Sequence, residues 1–163
     1  MELPRVGVLI FLANAICCHA QDLLPDPRYS GIEFDRAYNA FGGNHSIDVY
    51  QDGSENFLHS YQVGHSNDAS VFQSGYLNQI RLLQTGIQHF ADIQQRGTNN
   101  QLTNIQIGIH HMVNVIQEGQ NNRAYILQVG AWNRAEIHQR GSNLNVSVRQ
   151  YGAFHDTYIL QTN

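Results

Sequence analysis

Histidines and carboxylates are the side chains of this chain best suited to chemistry. The 163 residues include nine histidines and thirteen aspartates and glutamates. His89, His110 and His111 lie close together in sequence and could suggest a zinc site, but nothing around them fixes the geometry that zinc requires. The carboxylates are scattered, and Ser70 and Ser147 lack histidine and aspartate partners at matching positions. These residue types predict no catalytic centre, no cofactor and no metal site.

Glutamine is the residue that recurs at a fixed spacing. From residue 51 onward, a glutamine occurs at every eleventh position. These glutamines are Gln51, Gln62, Gln73, Gln84, Gln95, Gln106, Gln117, Gln128, Gln139, Gln150 and Gln161. The Gln-x-Gly tripeptides that they begin lack the neighbours of a phosphate-binding loop. A fixed period of this kind indicates a repeat architecture, which decides the fold before any local prediction does.

Two further positions of each unit repeat together with the glutamine. A glycine follows two residues later in all units but the last, at Gly53, Gly64, Gly75, Gly86, Gly97, Gly108, Gly119, Gly130, Gly141 and Gly152. Three residues after the glycine, most units have an asparagine, at Asn56, Asn67, Asn78, Asn100, Asn122 and Asn133. Glycine suits a turn because it tolerates backbone angles that other residues avoid. We therefore expect one turn in each unit.

The residues between the turns alternate as a β-strand requires. In the unit that begins at Asn67, the residues Asn67, Ala69, Val71 and Gln73 fall on one face of a strand. The position two residues before each glutamine is mostly valine, isoleucine or leucine, and β-branched residues favour strands over helices. The pattern predicts a strand in every unit, with the amide and aliphatic side chains pointing inward.

Two units make one closed coil of 22 residues, which consists of a strand, a turn, a facing strand and a second turn. Successive coils stack at about 4.8 Å, the spacing of neighbouring strands, so each inward residue lies above the residue 22 positions earlier. The predicted fold is an all-β, short-coil β-solenoid of the cross-β type, in which inward glutamines and asparagines form hydrogen-bonded ladders. A single coil buries too little apolar surface to offset the entropy lost by its backbone, so the coils depend on one another.

Histidine replaces asparagine on one side of the coil only. His89 and His111 are 22 residues apart in this position, so the solenoid predicts that their rings are stacked. The simplest interpretation is that the imidazole fills the corner and donates one hydrogen bond. The alternative is a pH-sensitive stack, because two protonated rings would lie about 5 Å apart, and assembly would then slow as the pH falls through about 6.5.

The N-terminal part of the chain differs from the repeats. Residues 1–20 are typical of a secretory signal helix, with Arg5 before an apolar run and small residues ending at Ala20. Both cysteines, Cys17 and Cys18, lie in this segment, so the exported chain has no disulfide. Residues 21–42 are interpreted as a flexible leader for export or attachment, and residues 43–163 as the repeat solenoid.

The net charge, the size of the coils and the ends of the stack limit the classes of function that the sequence predicts. The net charge is −4 and no basic patch suggests a nucleic acid. Coils this short leave no room for a catalytic cleft, so the chain is not expected to be an enzyme. Neither end strand carries the prolines or charges that normally block addition of further strands, which favours polymerisation.

Outward residues before the glutamines are often apolar, for example Tyr50, Phe72 and Leu127. They reflect strand preference alone, or lateral contact with another fibre or the outer membrane.

The repeat resembles that of the curlin family, the subunits of bacterial curli amyloid fibres. The segments QEGQNNRAYILQ and QVGAWNRAEIHQ, which begin at Gln117 and Gln128, show the pattern most clearly. The resemblance implies an extracellular curli fimbrium on a Gram-negative cell, with roles in adhesion and biofilm formation. It also implies self-association, association with a major curlin, and export through an outer-membrane secretion pore with accessory proteins.

Within that family, the simple Gln-x-Gly units and the leader IEFDRAYNAF are most similar to the minor subunit, which nucleates the fibre. A major fibre subunit is the first alternative. A soluble β-solenoid that binds a ligand or ice is the second, although the outward positions lack the ladders of small hydroxyl residues typical of ice-binding proteins.

Overall fold

The computed structural model describes residues 35–163, with side chains from residue 43 onward. The predicted signal segment and most of the predicted leader lie outside these residues. The described chain is a series of β-strands joined by short turns. The strands are β1 (Asp35–Gly43), β2 (Ser46–Ser54), β3 (Phe57–His65), β4 (Asp68–Tyr76), β5 (Gln79–Ile87), β6 (Phe90–Thr98), β7 (Gln101–Ile109), β8 (Met112–Gln120), β9 (Arg123–Ala131), β10 (Arg134–Ser142), β11 (Asn145–Ala153) and β12 (Asp156–Thr162).

The strands form two parallel sheets that face each other. Sheet A contains the odd-numbered strands in the order β1-β3-β5-β7-β9-β11, and sheet B contains the even-numbered strands in the order β2-β4-β6-β8-β10-β12. Each residue pairs with the residue 22 positions later, so that Gln73 lies beside Gln95 and Gly75 beside Gly97. The predicted all-β solenoid with 22-residue coils is therefore confirmed.

The hydrophobic core fills the space between the two sheets. In β4, Ala69, Val71 and Gln73 are buried, whereas Ser70 and Phe72 lie on the outer side. The same alternation in the other strands builds one continuous core. Its buried members are Ile47, Leu58, Ala69, Val71, Ile80, Leu82, Ala91, Ile93, Leu102, Val113, Val115, Ala124, Ile126, Ala135, Ile137, Val146 and Val148.

The stack begins earlier than the glutamine count indicates. Strand β1 pairs in register with β3, so that Ala40 takes the place of a glutamine beside Gln62, and Gly42 lies beside Gly64. Most of β1 belongs to the segment that the sequence analysis assigned to the flexible leader. The sequence does contain one sign of this strand, because Gly42 is eleven residues before Gly53, but the glutamine of that unit is missing.

Each turn contains two residues with positive φ. The repeat glycines from Gly53 to Gly152 have φ between 99° and 137°. At Gly119, a Cβ atom would collide with the backbone oxygen of Gly141 in the next coil, so the stacking itself requires glycine. Two residues after each glycine comes a second left-handed residue, which is asparagine in some turns, such as Asn121, but Leu77 or Trp132 in others. Asparagine tolerates this conformation better than either of them.

Candidate functional site: amide ladders and the open end of the stack

Two rows of glutamine side chains run along the interior, one belonging to each sheet. In sheet A, Nε2 of Gln62 donates a hydrogen bond to Oε1 of Gln84 at 2.7 Å. The row continues through Gln106, Gln128 and Gln150 at 2.9, 3.2 and 2.8 Å. The row of sheet B passes through Gln51, Gln73, Gln95, Gln117, Gln139 and Gln161 at 2.6, 3.0, 2.7, 2.8 and 2.8 Å. In both rows every donor points toward the C-terminal end of the stack.

The second amide proton of each repeat glutamine from Gln62 to Gln161 links the two sheets. Nε2 of Gln128 also donates to the backbone oxygen of Met112 at 3.2 Å, and Nε2 of Gln106 donates to that of Phe90 at 3.1 Å. Each of these amides is completely buried, so its polar atoms need partners within the protein. Glutamine meets this need because one side chain supplies two donors and an acceptor.

The asparagines hold the turns of successive coils together. Nδ2 of Asn78 donates to the backbone oxygens of Ser74, in its own turn, and Gly97, in the next coil, at 3.2 and 3.0 Å. Its Oδ1 accepts the backbone N–H of Asn100 at 3.1 Å. Comparable bonds are made at Asn56, Asn67, Asn100, Asn122 and Asn133.

His89 and His111 occupy the asparagine position and reproduce two of its hydrogen bonds, one within its own turn and one with the next coil. Their rings are stacked, with centroids 5.0 Å apart and planes inclined by 7°. Nε2 of His89 lies 3.0 Å from the backbone oxygen of Thr85, and Nδ1 of His89 accepts the backbone N–H of His111 at 3.2 Å. This pattern requires the neutral ring with its proton on Nε2.

The electrostatics of the stack agree with a neutral pair of rings. The pKa of His89 is lowered to about 4, mainly by burial and in part by the neighbouring His111 and His110. Burial also lowers the pKa of His111. A second proton on either ring would occupy Nδ1, where the next backbone N–H needs an acceptor.

One interior position does not satisfy its polar atoms. Asn104 takes a place that holds Leu82 and Ile126 in the neighbouring coils of sheet A. Its side chain is fully buried, and neither Oδ1 nor Nδ2 has a hydrogen-bond partner. An unpaired buried amide of this kind costs about 1–3 kcal/mol. The sequence analysis noted only the aliphatic majority of this position and so missed the exception.

The outer faces of the two sheets differ in charge. On sheet B, Glu118 lies between Arg140 and Arg96 at 2.8 and 3.3 Å, and the hydrogen bond from Arg140 is the main reason that the pKa of Glu118 is lowered. Arg134 pairs with Glu136 at 3.0 Å on the same face. A shallow groove on sheet A is instead lined by residues such as Leu83, Ile105 and Arg81, and no carboxylate contributes to it.

The C-terminal end of the stack is open among residues 35–163. β11 and β12 are the last strands of their sheets, and no described residue covers their outer edges. Ile159 of β12 is only partly buried, although the equivalent Ile137 one coil earlier is fully buried. Gln161 ends its row and donates to the backbone oxygen of Asn145 at 3.2 Å. A further coil placed here would meet the same strand edges and glutamine rows that an interior coil meets, although Asn163 replaces the glycine of the last turn and its side chain bonds to Ser142.

The described residues give no sign of a metal centre or of a membrane helix. Among them, no group of three or more histidine, cysteine or acidic side chains is arranged to hold a metal ion, and the three histidines at 89, 110 and 111 do not form one. No helix in this part of the chain has the length and hydrophobicity needed to span a bilayer.

A comparison with protein families finds the curlin associated repeat. Its family model matches residues 64–93 and 119–152, which include parts of both sheets. Neither the curated proteins nor the solved structures contain a significant match to this chain. The repeat match supports membership of the curlin family and suggests a self-assembling subunit of an extracellular curli fibre. Together with the solenoid fold, it suggests a structural protein rather than an enzyme.

Proposed function

We propose that this protein is the minor subunit of a curli-type amyloid fibre and that it nucleates polymerisation of the major curlin at the cell surface. The observation that carries the proposal is the open edge of β11 and β12, which displays unpaired strand edges and the ends of both glutamine rows. Such an edge is a template for the next coil of any chain with the same repeat.

The energetics of stacking favour addition at this edge. An incoming coil would cover Ile159 and extend the backbone hydrogen bonds of both sheets. Its glutamine oxygens would accept from the Nε2 groups of Gln150 and Gln161, as Gln139 does from Gln117 at 2.8 Å inside the stack. Because these interactions repeat at every coil, a partner need only share the eleven-residue period to continue them.

The minor role rests on the sequence resemblance. The units use the simple Gln-x-Gly turn throughout, and the leader IEFDRAYNAF is similar to that of minor subunits. A major fibre subunit remains the alternative, since the same open edge would allow the protein to polymerise alone. Export from a Gram-negative cell through an outer-membrane pore with accessory proteins, contact with the outer membrane, and roles in adhesion and biofilm formation belong to the same proposal.

The nucleating role is tested by seeding. The chain from Gln21 onward is added in substoichiometric amounts to a major curlin, and the lag of dye-detected fibre formation is measured. We expect a shorter lag. A chain that stays monomeric and leaves the lag unchanged would contradict the proposal, whereas rapid fibre formation without any effect on the partner would favour the major-subunit alternative.

A matched pair of variants tests the open edge itself. Ile159→Asp places a carboxylate where the next coil would bury it, whereas Leu160→Asp places the same group on the outer side of the same strand, where the side chain is 60% exposed. Burying an unpaired charge is strongly unfavourable. We expect Ile159→Asp to abolish seeding and Leu160→Asp to retain most of it, and equal seeding by the two variants would exclude this edge as the template.

A further inference from the structure

The charged residues of the solenoid are segregated between its two outer faces. Within residues 43–163, every carboxylate lies on a strand of sheet B or in the turn that follows β2. These carboxylates are Asp48, Asp52, Glu55, Asp68, Asp92, Glu118, Glu136 and Asp156. In the same range, sheet A carries no carboxylate and three arginines, which are Arg81, Arg123 and Arg149.

The charges that lack partners are of opposite sign on the two faces. Arg81, Arg123 and Arg149 have no ion pair within the described chain, and all three are exposed. On sheet B, the three arginines are engaged by Glu118 and Glu136, but the aspartates, such as Asp48 and Asp92, have no cationic partner among the described residues. Face A, the outer face of sheet A, is thus basic, and face B, the outer face of sheet B, is acidic.

Each outer face also carries a column of apolar side chains. Face A presents Leu83, Ile105 and Leu127 side by side on neighbouring strands, with Ile107 on the same strand as Ile105. Face B presents a column of Tyr50, Phe72 and, two strands further, Ile116. Tyr50 and Phe72 stack with ring centroids 5.2 Å apart. Both faces therefore combine an apolar stripe with charge.

We propose that face A of one solenoid docks on face B of a second copy of this chain, so that fibres associate side by side through two different faces. This inference rests on the proposed function, because the open edge of β11 and β12 must also allow copies of this chain to stack on one another. The two faces have the same strand spacing, since they belong to the same coils, and their side chains can remain in step over any length. Face-to-face packing of two sheets at about 10 Å then buries both apolar stripes and brings opposite charges together.

Pairing of identical faces is less favourable than this arrangement. Two copies of face A would bring unpaired arginines together, and two copies of face B would do the same with aspartates. Like charges opposed across an interface disfavour association. The pairing of face A with face B also leaves one free face A and one free face B on each bundle, so the bundle can add further fibres without limit.

Charge reversal on one face at a time tests the docking. The first variant is Arg81→Glu with Arg123→Glu, and the second is Asp48→Arg with Asp92→Arg. In each pair, the two substituted residues lie two strands apart in the stack. The chain from Gln21 onward is assembled at low salt, fibre mass is followed by dye binding and sedimentation, and bundle width is measured by electron microscopy.

We expect wild-type fibres to bundle at low salt and to separate at high salt, where the screening length falls well below about 10 Å. Each variant alone should form the same mass of fibres but as single filaments. The variant that combines all four substitutions should bundle more than the Arg81→Glu/Arg123→Glu variant, because face B then carries no net negative charge that repels the acidic face A.

Three results would overturn the docking. Bundling of the Asp48→Arg/Asp92→Arg variant at the wild-type level would indicate pairing of two A faces. Bundling unaffected by all substitutions would remove the role of charge. Binding of face A to vesicles of anionic phospholipid, lost in the arginine variant while bundling persists, would assign that face to a membrane. Failure of the wild type to form fibres alone would also overturn the docking, because no stacked copies would exist to associate, and it would contradict the proposed function only if the protein also left the lag of a major curlin unchanged.

Discussion

The buried glutamine is the residue on which the stacking depends most. Its side chain bonds to the coil below, to the coil above and to the opposite sheet, as Gln128 does with Gln106, Gln150 and Met112. A buried amide stabilises only when its groups are paired. The eleven-residue spacing therefore reflects a requirement of the interior and not of the surface.

The first prediction compares the same change at an inward and at an outward position of the solenoid. Gln128→Leu removes an interior amide and leaves groups of Gln106, Gln150 and Met112 without a partner, at about 1–3 kcal/mol for each buried orphan. Gln94→Leu makes the same change at an outward position, where it should be nearly silent. Denaturant titration of fibres should show lower resistance for Gln128→Leu only. Equal loss in both variants would mean that the inward and outward faces are wrongly assigned.

The histidine stack gives the second prediction, which concerns pH. The pKa of His89 is lowered to about 4 by burial, against about 6.5 in an unfolded chain. A lowered folded pKa means that the neutral rings contribute fully above about pH 6.5 and that this contribution is lost as the pH falls toward about 4. Assembly from unfolded chains should therefore begin to slow just below pH 6.5.

The test of this prediction replaces both histidines with the residue that fills the position in other coils. Assembly kinetics of the wild type and of the His89→Asn/His111→Asn variant are compared between pH 7.5 and 5.5, above the range in which most carboxylates titrate. We expect the variant to be less sensitive to pH. If it keeps the full dependence, the histidines are only substitutes for asparagine.

At the scale of the strand, β7 contains the least favourable interior position. Asn104 is isolated between Leu82 and Ile126 along its sheet, with both polar atoms unpaired. Asn104→Leu is close in volume and removes the orphan groups, so fibres should gain about 1–3 kcal/mol of resistance to denaturant. The matched change Thr103→Leu, on the outer side of the same strand, should have a much smaller effect. A loss of stability in Asn104→Leu would indicate that the amide has a partner in the assembled state.

The strands and the coil length follow directly from the sequence, whereas parts of the turns do not. Period-two alternation and the glutamine spacing predict the inward face and the 22-residue register, which Gln73 and Gln95 illustrate. The second left-handed residue of each turn was not predicted, because Leu77 and Trp132 have none of the conformational preference that marks a glycine. Stacking of the coils holds these residues in a conformation that their own propensity disfavours.

Some features of the site depend on three-dimensional packing and could not be predicted from the sequence pattern. The amide ladders could be anticipated from spacing, but the hydrogen bond from each glutamine to the opposite sheet depends on the separation of the sheets. Strand β1 was missed because Ala40 replaces the repeat glutamine. The histidine stack was predicted from its 22-residue spacing, but the large depression of the pKa of His89 depends on its burial.

The molecule as a whole is a short piece of an indefinitely repeatable structure. Its interior coils differ little from one another, and its C-terminal edge repeats their strand edges and glutamine rows, with Asn163 in place of the turn glycine. Its two outer faces differ in sign, which gives the stack a direction across its width as well as along its axis. Assembly of this kind depends on one geometric property of the chain: residues 22 apart are neighbours, and residues 11 apart lie on opposite faces.

Spin labels test this claim most directly in assembled fibres. The chain from Gln21 onward has no cysteine, so labels can be attached at Ser70→Cys with Asp92→Cys, or at Ser70→Cys with Arg81→Cys, and diluted with unlabelled protein. Ser70 and Asp92 lie side by side on β4 and β6, at about 4.8 Å, whereas Arg81 lies on the opposite sheet. We expect strong spin–spin coupling for the 70/92 pair and weak coupling for the 70/81 pair. Equal coupling in the two pairs, or stronger coupling in the second, would contradict the solenoid as the structure of the fibre.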